Sequence, residues 1–201
     1  MIEPLALASF RHARRAAAAL VLFVPWWLSG CGQNQPLATV PVKENAAQQY
    51  RYAVEYRTQR HLDLIVDKKK LASEREVIRQ TFQKVYENFP DERTFTPLAK
   101  LEVIEMDGGL DNQRVAVSTR QVHRTIGELK KLAGDYPEYV FIQAKCLFQQ
   151  GQLHKRLGEF PEAQKCFKEV VDKYSRNPER TIAALAKEAA FYYNKTYVNQ
   201  K

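Results

Sequence analysis

A chain of 201 residues, 45% apolar and 27% charged, has room for one folded domain with an extension and is not the composition of a disordered polymer. Its net charge is +8, and removing the three Arg and one Glu of residues 1–30 leaves +6. The longest basic run is Lys68-Lys69-Lys70, too sparse for a nucleic-acid-binding arm, so the positive balance reads as a solvated charged surface and no nucleic-acid partner is expected.

Arg11, His12, Arg14 and Arg15 precede Ala16 to Leu28, thirteen residues without a charge. That length suits the apolar core of a secretory signal and is short for a bilayer span. Leu28-Ser29-Gly30-Cys31 follows. These four residues resemble the lipobox of bacterial lipoprotein precursors. The resemblance implies diacylglyceryl transfer to the Cys31 sulfur, cleavage before it and acylation of the new amino group. Residues 1–30 would then be the signal peptide, and the mature chain would be held on the bacterial envelope. Each buried methylene contributes about 0.8 kcal/mol, so several acyl chains anchor almost permanently. Gly32 after the cysteine leans toward the outer membrane, facing the periplasm. Residues 31–44, with Pro36 and Pro41, read as a flexible tether to a domain over 45–201.

The domain reads as all-α, with about seven helices. The first is expected from Ala46 to Asp67, on the stripe Tyr50, Ala53, Val54, Arg57, His61, Leu64 and Ile65. Lys68 to Leu71 is expected to turn, and Ser73-x-x-Glu76 to cap a helix carrying Val77, Ile78, Phe82, Val85 and Phe89, ended by Pro90. Thr96-Pro97 reads as a cap and first helical position for a short helix to Met106, broken by Asp107-Gly108-Gly109. Ser118-x-x-Gln121 caps a fourth helix to Asp135, striped by Val122, Ile126, Leu129 and Leu132. A last helix from Pro178, capped by Asn177, carries Ile182, Leu185, Ala189 and Tyr193.

Between them, Ala144 to Pro178 reads as a helical hairpin. Ala144, Leu147, Gly151, His154 and Gly158 mark one face of the first arm; Ala163, Phe167, Val170 and Tyr174 mark the second. Gly158-Glu159-Phe160-Pro161 supplies the turn, and Gly151 and Ala163 would let the two backbones approach. This stretch resembles a tetratricopeptide repeat with Ala144 as its first position, matching at Leu147, Gly151, Gly158, Phe160, Ala163, Phe167 and, less closely, Val170. The ends Phe89-Pro90, Tyr136-Pro137 and Tyr174 echo one another at spacings of 47 and 38. Together they imply two imperfect repeats, one good repeat and a closing helix, stacked as antiparallel hairpins into a short superhelix.

Catalytic patterns are missing: there is no His-Glu-x-x-His, Gly-x-Ser-x-Gly, phosphate-cradling glycine loop or Cys-x-x-Cys. Asp107 and Asp111 around Gly108-Gly109 lack the alternation of a calcium loop. His154 beside Cys146 and Cys166 lacks a fourth zinc ligand. No enzyme activity, metal or cofactor is therefore expected. Cys146 and Cys166 lie on facing arms near the open end of the hairpin. A disulfide there would contribute about 3 kcal/mol, although packed helices rarely bring Cα atoms close enough, and two buried thiols is the alternative.

In the resembled family the inner wall comes from the first arm of each repeat, which places Lys145, Phe148, Gln152, Lys155 and Arg156 on a surface that would grip a protein or peptide of acidic character. Phe148 packed on the closing helix is the competing expectation. Phe191, Tyr192, Tyr193 and Tyr197 form a second candidate patch. The reading is a non-enzymatic, lipid-anchored adaptor of the cell envelope, serving outer-membrane protein assembly or other envelope machinery; the alternative is a structural lipoprotein that self-associates into homo-oligomers.

Overall fold

A computed structural model describes residues 40–112 and 114–198, with side chains through Lys195. The basic segment, the apolar run, Cys31 and most of the tether lie outside the described residues, as does the side chain of Tyr197. Seven α-helices follow one another without a strand among the described residues: α1 Ala46–Gln59, α2 Lys68–Asn88, α3 Phe95–Asp107, α4 Thr119–Asp135, α5 Val140–Leu157, α6 Phe160–Tyr174 and α7 Arg180–Val198. None is long and apolar enough to cross a membrane.

Each helix packs on the next, and α1, α3, α5 and α7 also touch in series. This makes α1–α2, α3–α4 and α5–α6 three antiparallel hairpins whose first arms share one wall, with α7 closing the stack. The apolar stripes accordingly form three successive clusters. Ala53, Ile78, Phe82, Val85, Ala99 and Met106 join α1, α2 and α3. Leu101, Val122, Ile126, Leu129, Ile142 and Leu153 join α3, α4 and α5. Phe148, Phe167, Val170, Ile182 and Ala189 join α5, α6 and α7. No hairpin covers its own stripe, so each depends on its neighbour.

The expected repeat register holds. Phe89 and Tyr136 are the C-caps of α2 and α4, and Tyr174 is the last residue of α6. Ser118 caps α4 through its side-chain oxygen, 3.2 Å from the Gln121 N–H. Gly158 ends α5 at φ 77°, a left-handed conformation that glycine adopts without strain. A Cβ at Gly151 would lie 2.7 Å from Phe167 Cε1, so the close approach of the two arms requires glycine.

Boundaries differ from expectation at four places along the chain. First, α1 stops at Gln59 because His61 turns left-handed at φ 43° into a single 3-10 turn, Leu62–Leu64. Leu64 is therefore 71% exposed instead of continuing the stripe. Second, Lys68 to Leu71 is the first turn of α2. Asp67 caps it, accepting from the Lys70 N–H at 2.7 Å, which leaves Ser73 and Glu76 inside the helix. A cap of this kind is worth about 1 kcal/mol. Third, α3 begins at Phe95, and the Glu92 carboxylate accepts from the Thr94 and Phe95 N–H groups where a Thr96 cap was expected. The Thr96 hydroxyl instead donates to the Phe89 carbonyl. Fourth, α5 begins at Val140, four residues before Ala144, and α7 at Arg180, with Asn177 Oδ1 accepting from the Glu179 N–H.

Candidate functional site

Five side chains from one face of α5 recur at positions 145, 148, 152, 155 and 156, a single stripe of a 3.6-residue helix. Because α5 is a first arm, that stripe faces α3 on one side and α7 on the other. The result is a cleft of about 490 Å³, lined by Lys145, Phe148, Gln149, Gln152, Lys155 and Arg156, by Gly109 and Leu110 after α3, and by Glu188 and Tyr192 of α7.

The five expected residues do different things there. Phe148 is 4% exposed, its ring 5.7 Å from Phe167 and 6.0 Å from Tyr192, so it packs on the closing helix and forms the cleft floor. Lys155 holds its ammonium 4.5 Å from the Tyr192 ring centre. Gln152 is half-buried at the mouth. Arg156 donates to the carbonyls of Gly108, Gly109 and Val115, so its guanidinium ties the α3–α4 loop to the end of α5.

Lys145 approaches the Glu105 carboxylate at 3.6 Å, and the Gln149 amide donates to the same oxygen at 2.6 Å. Glu105 is mostly enclosed beneath the wall, and burial pushes its carboxyl above the usual range, with Lys145 partly offsetting the shift. One turn back, Glu102 pairs with Arg57 of α1. A polar seam thus runs along the first-arm wall from α1 through α3 to α5. Nearby, Tyr50 is pushed up to about 12, chiefly by burial and then by Glu102. A neighbouring cleft of about 610 Å³, lined by Arg57, His61, Glu105, Asp111 and Arg114, continues the wall toward the α1–α2 loop.

A tetratricopeptide repeat family profile matches residues 145–177. The chain is tetratricopeptide-repeat-like. That match takes in every α5 residue of the cleft and the whole of α6. No curated protein and no solved structure matches the chain. A tetratricopeptide-like stack is a protein-interaction scaffold, and the wall formed by its first arms supplies area and polar handles for a protein partner.

Cys146 and Cys166 are both free, buried thiols, so the bridge considered from the sequence is not formed. Cys146 belongs to the α3–α4–α5 cluster, and burial, then the Glu105 charge, pushes its thiol up to about 12. His154 bonds Glu159 through Nδ1 at 2.6 Å. Among the described residues no group of three or more His, Cys, Asp or Glu is placed to hold a metal ion. In the second candidate patch, Tyr192 and Tyr193 pack against the α5–α6–α7 core, while Phe191 is 60% exposed.

The resemblance to a tetratricopeptide repeat pointed to the α5 stripe but not to its partners. Gln149, Glu105, Leu110, Glu188 and Tyr192 reach the cleft or its seam from other helices, from the loop after α3 or from an adjacent face, and no spacing within α5 encodes them.

Proposed function

We propose that this chain is a non-catalytic adaptor of the bacterial envelope, anchored by acyl chains on Cys31, that holds an acidic segment of a partner protein in the α3–α5–α7 cleft. The observation that carries the reading is the cleft itself: a first-arm wall with three cationic side chains, Lys145, Lys155 and Arg156, against one lining carboxylate, Glu188, over an aromatic floor. Leu28-Ser29-Gly30-Cys31 supports the anchor, and Gly32 supports an outer-membrane site facing the periplasm. Service to outer-membrane protein assembly or related envelope machinery fits an anchored scaffold without catalytic patterns.

A photo-crosslinking residue at Gln152, compared with one at exposed Glu87 on α2, tests the cleft. A partner adduct formed from position 152 alone is expected, and equal adducts from both positions would sink the reading. Self-association is the second reading, supported by exposed Phe191 on α7; an adduct containing two copies of this chain would favour it. Cys31→Ala tests the anchor separately, because a variant of unchanged mature mass that still fractionates with membranes removes lipidation.

A further inference from the structure

The loop between α1 and α2 carries three features that together set it apart from the rest of the surface. Leu64 and Val66 are 71% and 88% exposed, among the most exposed large apolar side chains described. His61 holds a left-handed backbone at φ 43°, unusual for a residue with a Cβ, and this turn directs Leu62 inward against the first core cluster and leaves Leu64 outside. Lys68, Lys69 and Lys70 occupy the first turn of α2, the end where the helix dipole repels cations. All three are exposed, and among the described residues no carboxylate pairs with them. Arg114 joins from the neighbouring loop, donating to the Ile65 carbonyl at 3.5 Å. The nearby acids are partly engaged: Glu74 pairs with Arg60, Asp111 with Arg75, and Asp67 caps α2, leaving Asp63.

We propose that residues 60–70, with Leu64 and Val66 at the tip and Lys68, Lys69, Lys70 and Arg114 around them, dock on an anionic lipid surface. Two aliphatic side chains standing out of a convex turn suit insertion among acyl chains. Lysines, with long apolar stems and compact charges, suit phosphate headgroups. Protein hot spots favour Trp and Tyr anchors, and residues 60–70 hold no Trp, Tyr or Phe. The surface does not depend on acylation of Cys31. The twelve residue steps from Cys31 to Lys43 reach at most about 40 Å, against about 21 Å for α1, so an anchor there leaves this end of the domain free to meet the bilayer.

Amide exchange of the full-length chain, measured with vesicles of phosphatidylcholine alone and with a third phosphatidylglycerol, decides the matter. Exchange across 62–70 is expected to slow about tenfold on the anionic vesicles only. Replacing Lys68, Lys69 and Lys70 together by Gln should restore free exchange, since each lysine near an anionic surface contributes about a fivefold preference. Leu64→Ser with Val66→Ser should weaken the protection in part. Both variants lie outside every core cluster and leave the fold intact. Unchanged exchange on anionic vesicles, or equal slowing on neutral ones, overturns the proposal. Slowing by polyglutamate but not by vesicles assigns the surface to an acidic protein and also overturns it. Cys31→Ala is expected to keep the loop protection, so loss of the anchor and loss of the loop contact are distinguishable.

Discussion

Gly151→Ala is the sharpest test of how the best-formed hairpin is held. A Cβ there would lie 2.7, 2.9 and 3.0 Å from three carbons of the Phe167 ring. That ring has nowhere to go: it is fully buried, stacked on Tyr192 at 5.5 Å and tilted against Phe148 at 5.7 Å. Overpacking of this kind costs about 1–3 kcal/mol, while exchanging glycine for alanine inside a helix returns about 1 kcal/mol. The expected net is a loss of up to about 2 kcal/mol, or a fall in Tm of up to about 6 °C for a domain of this size. Gly127→Ala is the matched control. It lies on the exposed face of α4 with nothing within 4 Å of the new Cβ, so helix propensity alone should raise Tm by about 3 °C. Thermal unfolding followed by circular dichroism, with urea titration alongside, reads both. If Gly151→Ala stabilises as much as Gly127→Ala, the arms are not in the close contact described and the packing argument fails.

Glu105→Gln should stabilise the domain at neutral pH. Burial holds the folded carboxyl above its usual 4.5, so Glu105 supports the fold below that value and loses its contribution as pH rises through the raised one. The stability difference between Glu105→Gln and the parent should therefore be near zero at pH 4 and grow toward pH 7 in urea melts; a difference independent of pH would refute the assignment. Cys146, with its thiol pushed up to about 12 inside the core, should stay unalkylated at pH 8 in native protein and react once urea unfolds the domain. Peptide mapping by mass spectrometry checks this, and rapid native labelling of Cys146 would contradict its burial.

What could be read from the chain follows the range over which each signal acts. Ser118 and Gly158 mark their helix ends through contacts within four residues, and both boundaries came out as the sequence implied. Gly151 was legible because a small residue on an apolar face opposite Phe167 has a steric meaning without coordinates. The start of α2 was not legible. Ser73-x-x-Glu76 satisfies a capping pattern, but Asp67 caps six residues earlier, and three lysines in a first turn resemble a solvated loop. Nothing local marks His61 as left-handed either, since the contacts that hold it come from the first core cluster. At the cleft, Lys145, Gln152 and Lys155 came from the resemblance to a tetratricopeptide repeat, which assigns them to the first-arm wall, whereas the attachment of Arg156 to three loop carbonyls depends on how α3 and α5 stack.

The join between the leading segment and the domain has a mechanical consequence. Lys43 donates its N–H to the buried Gln49 side chain and sets its ammonium 4.7 Å from the Tyr52 ring centre, so the chain enters α1 by a fixed route. Helix α1 packs on α2 and α3 and has no comparable contact with α5 or α7, which carry the cleft's cationic and aromatic side chains. Tension applied from the amino side is therefore taken up first at Lys43 and α1. That helix would peel from its cluster before the strain crossed α3, which makes it a shock absorber: a partner seated against α5 would feel a tug only after α1 had yielded.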